Sequence, residues 1–386
     1  MPVRVEEPVP PRVVAFAEPE VIDHDIDAVC RVLRSGWLTT GAECEALEAE
    51  LSAYMDVPHA VTVSSCTAAL EVALAYLELA PGARVGVPTW TFAATAIAAV
   101  HHGAVPVLLD VDPRTLNLSP TAVADALDRG LDALVAVHFA GVPVSAEIHR
   151  LCRDAGVPVV EDAAHAFGAV DHRGRVAGKG TVAACFSFYA TKNLTCGEGG
   201  ALVTEDPELA NFARAYRFHG LTSDGWTRDG GGAAYDLVTA GAKANLPDVL
   251  AALARSQLAR ADDAQVRRRG LVKVYRERLA DCDGIEVVPD DQHPGSADHL
   301  FVVLLPDGAD RARIMGRLRE AGIQTSVHFR PLHHMEWFQA HAELGPGGAP
   351  VADRLAGRAL SLPLHLGLDQ LDVGLVCDRL AEANHG

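Results

Sequence analysis

The sequence predicts an α/β fold, a mostly parallel sheet flanked by helices, with a smaller α+β domain after it. Three observations carry this. From residue 60 to about 205, short apolar runs alternate with helical stretches, the pattern of βα units whose strands lie parallel. A stretch rich in Gly, Ser, Thr and Asp over 221–244, including Gly230-Gly231-Gly232, then interrupts the alternation and reads as a long loop. Beyond Pro247 the pattern changes to a long helical region and a few strands. The expected division is a large α/β domain over 15–246 and a small C-terminal α+β domain over 247–386.

Taken in order, Ile22, Ile26, Val29 and Leu33 recur at helical spacing and stop at Gly36, which predicts an amphipathic helix. Strands follow at 60–63, 85–87, 105–109, 133–137 and 157–160, with helices over 67–79, 92–100, 120–128 and 145–155 between them. Further strands are expected at 182–188 and 201–204. The second part reads as a helical region from 247 to about 279, strands near 285–288 and 300–305, a helix near 309–320 and a terminal helix after Asp369.

Composition narrows the function classes. The 386 residues are 49% hydrophobic, enough for a sizeable core. The formal net charge of −18, from 33 basic against 51 acidic residues, argues against nucleic acid or an anionic membrane as the main partner. Eight scattered cysteines without a C-x-x-C pair read as reduced thiols of a cytoplasmic protein, neither a disulfide framework nor a zinc site. No apolar segment after Met1 resembles a signal peptide, and no apolar run is long enough to span a bilayer.

Only four of the 33 cations are lysine, at 179, 192, 243 and 273. A guanidinium cannot form a Schiff base, whereas a desolvated amine can. Lys192 follows the apolar run Cys185-Phe186-Ser187-Phe188-Tyr189-Ala190 and precedes Gly197-Glu198-Gly199-Gly200. It is either a surface lysine after a strand or the anchor of a covalent cofactor. Asp162, just past the strand Val157 to Val160, is either a helix N-cap or the partner of a protonated ring nitrogen. Ser64-Ser65-Cys66-Thr67 marks a strand-to-helix turn, fit for ordinary capping or for a phosphate. Phe92 or Trp90 offers a face for a flat ring, and Ser187 a hydroxyl for the same phosphate. There is no P-loop and no G-x-G-x-x-G at that turn, so neither ATP nor a dinucleotide is indicated. Amine, carboxylate, phosphate cradle and stacking face together fit pyridoxal 5′-phosphate. His101-His102 and His333-His334 are adjacent pairs, which rarely share a metal, so no metal site is assigned.

Three motifs carry a resemblance over about residues 15–380: Ser35-Gly36-Trp37-Leu38-Thr39-Thr40-Gly41, Glu161-Asp162-Ala163-Ala164-His165, and Phe186-Ser187-Phe188 through Lys192 to Gly200. In these the chain resembles the DegT/DnrJ/EryC1/StrS family of nucleotide-sugar aminotransferases. Phe218-His219-Gly220-Leu221, Lys243 to Asp248 and Val327-His328-Phe329-Arg330 look closest to the type that makes UDP-4-amino-4-deoxy-L-arabinose. The resemblance implies a fold-type I pyridoxal phosphate enzyme, a homodimer with shared active sites. It implies Lys192 as the Schiff-base lysine, Asp162 as pyridinium partner and Phe92 as stacking residue. Cys66 (through its backbone N–H), Thr67 and Ser187 would bind phosphate, His165 would line the cofactor, and Lys243 and Asn245 would reach the partner's phosphate. Trp37, His328 and Arg330 would meet substrate. Cys66 stands where glycine is common and Lys243 where asparagine is usual.

The implied reaction moves an amino group from L-glutamate to a nucleotide-diphosphate keto sugar, first at C4 of a UDP-4-keto-pentose. A dTDP-4-keto-6-deoxyhexose is the alternative, and a 3-keto sugar the third choice. Lys192 argues against the family's sugar 3-dehydrase, which has histidine there. A non-catalytic cofactor-binding regulator is the rival from another class. The Ala- and Arg-rich composition suggests a high-GC bacterium, and the resemblance implies antibiotic-sugar biosynthesis there.

Overall fold

A computed structural model describes residues 13–222, 235–289 and 293–385; Gly230-Gly231-Gly232 and the segment after Met1 lie outside them. The large sheet has eight strands in the order β1-β9-β8-β5-β4-β2-β3-β12. They are β1 (His59–Val63), β2 (Arg84–Pro88), β3 (Val105–Leu109), β4 (Ala133–Val137), β5 (Val159–Asp162), β8 (Ala183–Ser187), β9 (Gly200–Thr204) and β12 (Glu343–Leu344). Strands from β12 across to β8 run parallel, and β9 and β1 pair antiparallel at one edge. The parallel strands read as continuous Val-, Ala- and Leu-rich runs because helices cover both faces. Between β5 and β8, β6 (Val170–Asp171) and β7 (Gly174–Arg175) form a small hairpin that the sequence pattern did not announce.

Helices α3 (Cys66–Tyr76), α4 (Ala93–His101), α5 (Pro120–Asp128) and α6 (Ala146–Ala155) join these strands as expected. Gly103 closes α4 at φ +76°, so His101 and His102 do end a helix. Two large-domain helices went unread. One is α2 (Ala42–Met55), whose Cys44, Leu47, Leu51 and Met55 pack on the sheet; the other is α7 (Pro207–Tyr216).

The first helix, α1 (Asp23–Ser35), exists where expected but faces the other way. Asp25, Ala28 and Val32 are buried, while Ile22, Ile26 and Leu33 point outward. Asp25 is drawn inward because Arg260 donates to both its oxygens at 2.7 Å, and Ser256 also donates. The helical region expected from Pro247 to about Leu279 is present as two helices, α8 (Asp248–Leu258) and α9 (Ala261–Leu279). Although it follows residue 247, α8 packs with the large domain: Leu246, Ala251, Ala254 and Leu258 join the cluster built on α2 and β9. The Asp248 carboxylate accepts from the N–H groups of Gly41, Glu43 and Cys44, capping α2 across the chain.

The smaller unit is an antiparallel sheet β10-β11-β13, of Glu286–Val288, Phe301–Leu304 and Ala359–Leu362. Helices α9, α10 (Arg311–Glu320) and α13 (Gln370–His385) pack on it around Tyr275, Phe301, Leu318 and Leu380. A further cluster, with Trp90, Phe139, Val302 and Leu355, welds this sheet to the end of the large one. The short helix α12 (Pro350–Ala356) adds Ala352 and Leu355 to that cluster, while α11 (Glu336–His341) packs Phe338 on the large sheet. Among the described residues no helix is long and apolar enough to cross a membrane.

Candidate active site

Ligands of parallel sheets bind beyond the carboxyl ends of the strands, where the strand order reverses. Here β2 has β3 on one side and β4 on the other. The carboxyl ends of β2, β4, β5 and β8 deliver Phe92, Val137, Asp162 and Ser187 to one pocket of about 480 Å³, within the usual span for cofactor sites of about 300–1,000 Å³.

Lys192 lines this pocket. The chain leaves β8, bonds Phe188 N–H to Gly199 O, and turns so that Lys192 N–H donates to Tyr189 O at 2.9 Å. The residue is half-buried, and the pocket walls desolvate its amine. That desolvation brings its pKa down to about 8, against the opposing pull of Cys66 and Asp162. Lys179 pairs with Asp56 and Lys273 lies beside Glu277, both on the surface.

Asp162 ends β5 and is buried. No helix begins there, so the N-cap alternative falls away. One oxygen accepts from Ala164 N–H at 3.2 Å; the other accepts from Thr95 Oγ1 at 2.7 Å, and Thr95 is itself hydrogen-bonded to Thr91. The carboxylate is thus held in place by α4 and its own turn. The Cys66 thiol lies 3.7 Å from it and donates to Cys185 O at 3.1 Å. Cys66 therefore contributes a side chain to the pocket as well as the N–H expected from sequence. Burial pushes that thiol well up, so it stays protonated.

Ser65 caps α3 by accepting from Ala68 N–H. The capping reading of this turn therefore holds for Ser65. Cys66 and Thr67, the next two residues, line the pocket at the helix N-terminus, where N–H groups have no intrahelical acceptor and the dipole favours an anion. Ser187 faces the same place. Gly200 explains the fit behind it: a Cβ there would stand 2.6–2.7 Å from Phe186 O, Ser65 C and Cys66 N. Only glycine lets β9 approach the turn this closely.

Phe92 is 63% exposed at the pocket and 6.0 Å from the Phe329 ring. Trp90, the alternative stacking residue, is fully buried and donates to His328 O; it is core. His165 accepts from Ala140 N–H on Nδ1, so its proton sits on Nε2. His165 packs 4.5 Å from His299 and 6.0 Å from Phe329. His328 lines the pocket, stacked on Phe16 and bonded to Ser361. Burial, then the Lys192 charge, lowers His165 and His299 far below the usual histidine value and brings His328 to about 4. All three imidazoles are neutral near pH 7.

Four expected site residues do not line this pocket within the chain. Trp37 donates to Thr40 O, and Arg330 donates to His334 O on the surface. Lys243 bonds Asn245 at 2.6 Å and sits over the Phe218 ring; Asn245 donates to Thr40. The 243–248 segment is thus latched to the 37–44 segment, and Ala244 O accepts from Ser64 N–H beside the α3 turn. Sequence reasoning missed Thr95, His299 and Phe329, which line the pocket. The repeat of threonine at 91 and 95, one helical turn apart, was the available signal for Thr95.

The set fits pyridoxal phosphate on its chemistry: a lowered amine, a buried carboxylate fixed by Thr95 and Ala164, a helix N-terminus at the pocket and an exposed aromatic ring. The DegT/DnrJ/EryC1/StrS aminotransferase family matches residues 19–381. The chain belongs to that family. DesV of S. venezuelae, solved with a ketimine intermediate, is 34% identical over 94% of each chain, with a TM-score of 0.85. The sugar aminotransferase CalS13 of Micromonospora echinospora is 28% identical over 96% of this chain and 99% of its own, with a TM-score of 0.84. Spr1654 of Streptococcus pneumoniae, in its PLP form, is 28% identical over 97% and 99%, with a TM-score of 0.89. This DegT/DnrJ/EryC1/StrS member is accordingly a pyridoxal phosphate-dependent sugar aminotransferase.

Proposed function

We propose that this aminotransferase moves the amino group of L-glutamate to a nucleotide-diphosphate keto sugar, first among them a UDP-4-keto-pentose aminated at C4. The observation that carries the reading is the lowered amine of Lys192 in one pocket with the buried Asp162 carboxylate. Bound pyridoxal phosphate supplies an electron sink for the carbon from which the proton leaves. Lys192 is the residue that would hold it, Asp162 would keep its ring nitrogen protonated, and Phe92 would cover one face. Cys66, Thr67 and Ser187 would take the phosphate. Once free, Lys192 Nζ is the atom that accepts and returns a proton, which requires the neutral amine that burial favours.

The keto-sugar choice rests on the likeness of the 218–221, 243–248 and 327–330 segments to the 4-aminotransferases. His328, neutral and lining the pocket, would meet an uncharged sugar hydroxyl in this reading. Lys243 and Asn245 act in this reading on the partner's phosphate across a homodimer, and Trp37 and Arg330 would meet substrate. Exposed Ile22, just before α1, and Ile26 and Leu33 on it, with Leu237 and Val238 beside the 243–248 segment, support such an association.

The test is a panel of nucleotide keto sugars presented to the pyridoxamine form made with L-glutamate. Fastest amination is expected with the UDP-4-keto-pentose. Faster turnover of a dTDP-4-keto-6-deoxyhexose or a 3-keto sugar would reassign the substrate. Ping-pong kinetics is expected throughout, and no conversion by glutamate would favour a regulator.

A further inference from the structure

Outside the pocket, one cluster of metal-ligating side chains stands apart. His333 and His334 lie in a single turn, Leu332–His334, and Asp353 on α12 faces them. Adjacency in sequence argued against a shared partner, yet both rings turn the same way. His333 Nε2 is 2.9 Å and His334 Nε2 2.6 Å from the same oxygen, Asp353 Oδ1. The three ligand atoms lie within 4.8 Å of one another.

We propose that His333, His334 and Asp353 form a zinc site. Two imidazole nitrogens and one carboxylate oxygen are a common zinc set, and an open side leaves room for water as fourth ligand. The residues grade from 14% exposed at His333 through 33% at His334 to 56% at Asp353, so the open side faces solvent.

The surroundings support ligation rather than a loose surface contact. His333 Nδ1 is 2.6 Å from Thr89 Oγ1, and Thr89 is fully buried at the end of β2. With Nε2 on the metal, Nδ1–H donates to that hydroxyl, the outer contact that fixes a ligating imidazole. The turn itself is pinned by Leu332 N–H to Thr89 O, Arg330 to His334 O and Gln339 to His333 O. On the other side, Asp110 accepts from Val351 and Ala352 N–H and fixes the start of α12. Zinc there ties the turn following His328 and Phe329 to α12, and so clamps the strip that walls the pocket.

The experiment titrates chelator-stripped holoenzyme with Zn²⁺ by calorimetry and with Co²⁺ by visible absorption. Wild type, His334→Gln, Asp353→Asn and the remote surface control His101→Gln are compared, each first shown to be folded by circular dichroism. The expected result is one saturable Zn²⁺ per chain and a tetrahedral Co²⁺ spectrum. Affinity falls at least about tenfold in His334→Gln and in Asp353→Asn and is unchanged in His101→Gln. No saturable binding by wild type, unchanged affinity in either site variant, or an equal loss in the control overturns the proposal. These readouts do not depend on amination, so failure here leaves the aminotransferase reading untouched.

Discussion

At the scale of single residues, the chemistry depends on which form Lys192 takes. Its pKa of about 8 is below that of an ordinary lysine because burial penalises the charged form. The neutral fraction therefore rises with pH through about 8. The rate at which stripped protein captures added pyridoxal phosphate should rise across that range and level off above it, as stopped-flow absorbance will show. A flat profile would contradict a buried amine. Lys192→Ala should abolish the absorbance band of the lysine-linked cofactor and slow the glutamate half-reaction by roughly 10²–10⁴-fold, measured in single turnover. That Lys192 and Asp162 share one pocket was legible because a rare lysine and a carboxylate follow strand patterns, whereas the choice of Phe92 over Trp90 came from the resemblance. Thr95 and His299 were not legible, because their roles arise only when α4 and the small domain meet the strand ends.

At the scale of elements, β5 is anchored behind the pocket by Glu161, which points away from it. Glu161 is fully buried and bonded to His149 at 2.8 Å, Arg173 at 2.6 Å and Gly178 N–H at 3.1 Å. Burial alone would raise its pKa; His138, His149 and Arg173 overcome this and hold it well below the ordinary 4.5. A depressed carboxylate contributes stability that is complete above about pH 4.5 and lost as pH falls through the lower native value. Glu161→Ala should cost about 3–5 kcal/mol by urea unfolding at pH 7 and flatten the loss of stability on acidification. An unchanged midpoint would show the network to be dispensable. The sequence displayed this glutamate beside Asp162 but not its partners, which come from α6 and the β6–β7 hairpin. The same limit reversed α1. Its apolar spacing predicted a helix, but the Asp25–Arg260 pair determines which side turns inward.

At the scale of the whole molecule, the proposed homodimer would cover the outward apolar side chains of α1 and bring the 243–248 segment to a second copy. Sedimentation should give twice the chain mass of 40.8 kDa, and Ile26→Glu with Leu33→Glu should shift it toward the single chain. A wild-type monomer would remove the shared-site arrangement. The mostly parallel sheet was legible from βα alternation, whereas its strand order was not, and β12, a two-residue strand joined to β3 by long-range pairing, carries too little pattern to be read. The placement of α8 with the large domain was hidden for the same reason, since the Asp248 cap on α2 spans about 200 residues. The most direct test of the account is borohydride reduction of the holoenzyme followed by peptide mass mapping. The account predicts the cofactor mass on the peptide carrying Lys192; the same mass on Lys179, Lys243 or Lys273, or on none of the four, would contradict it.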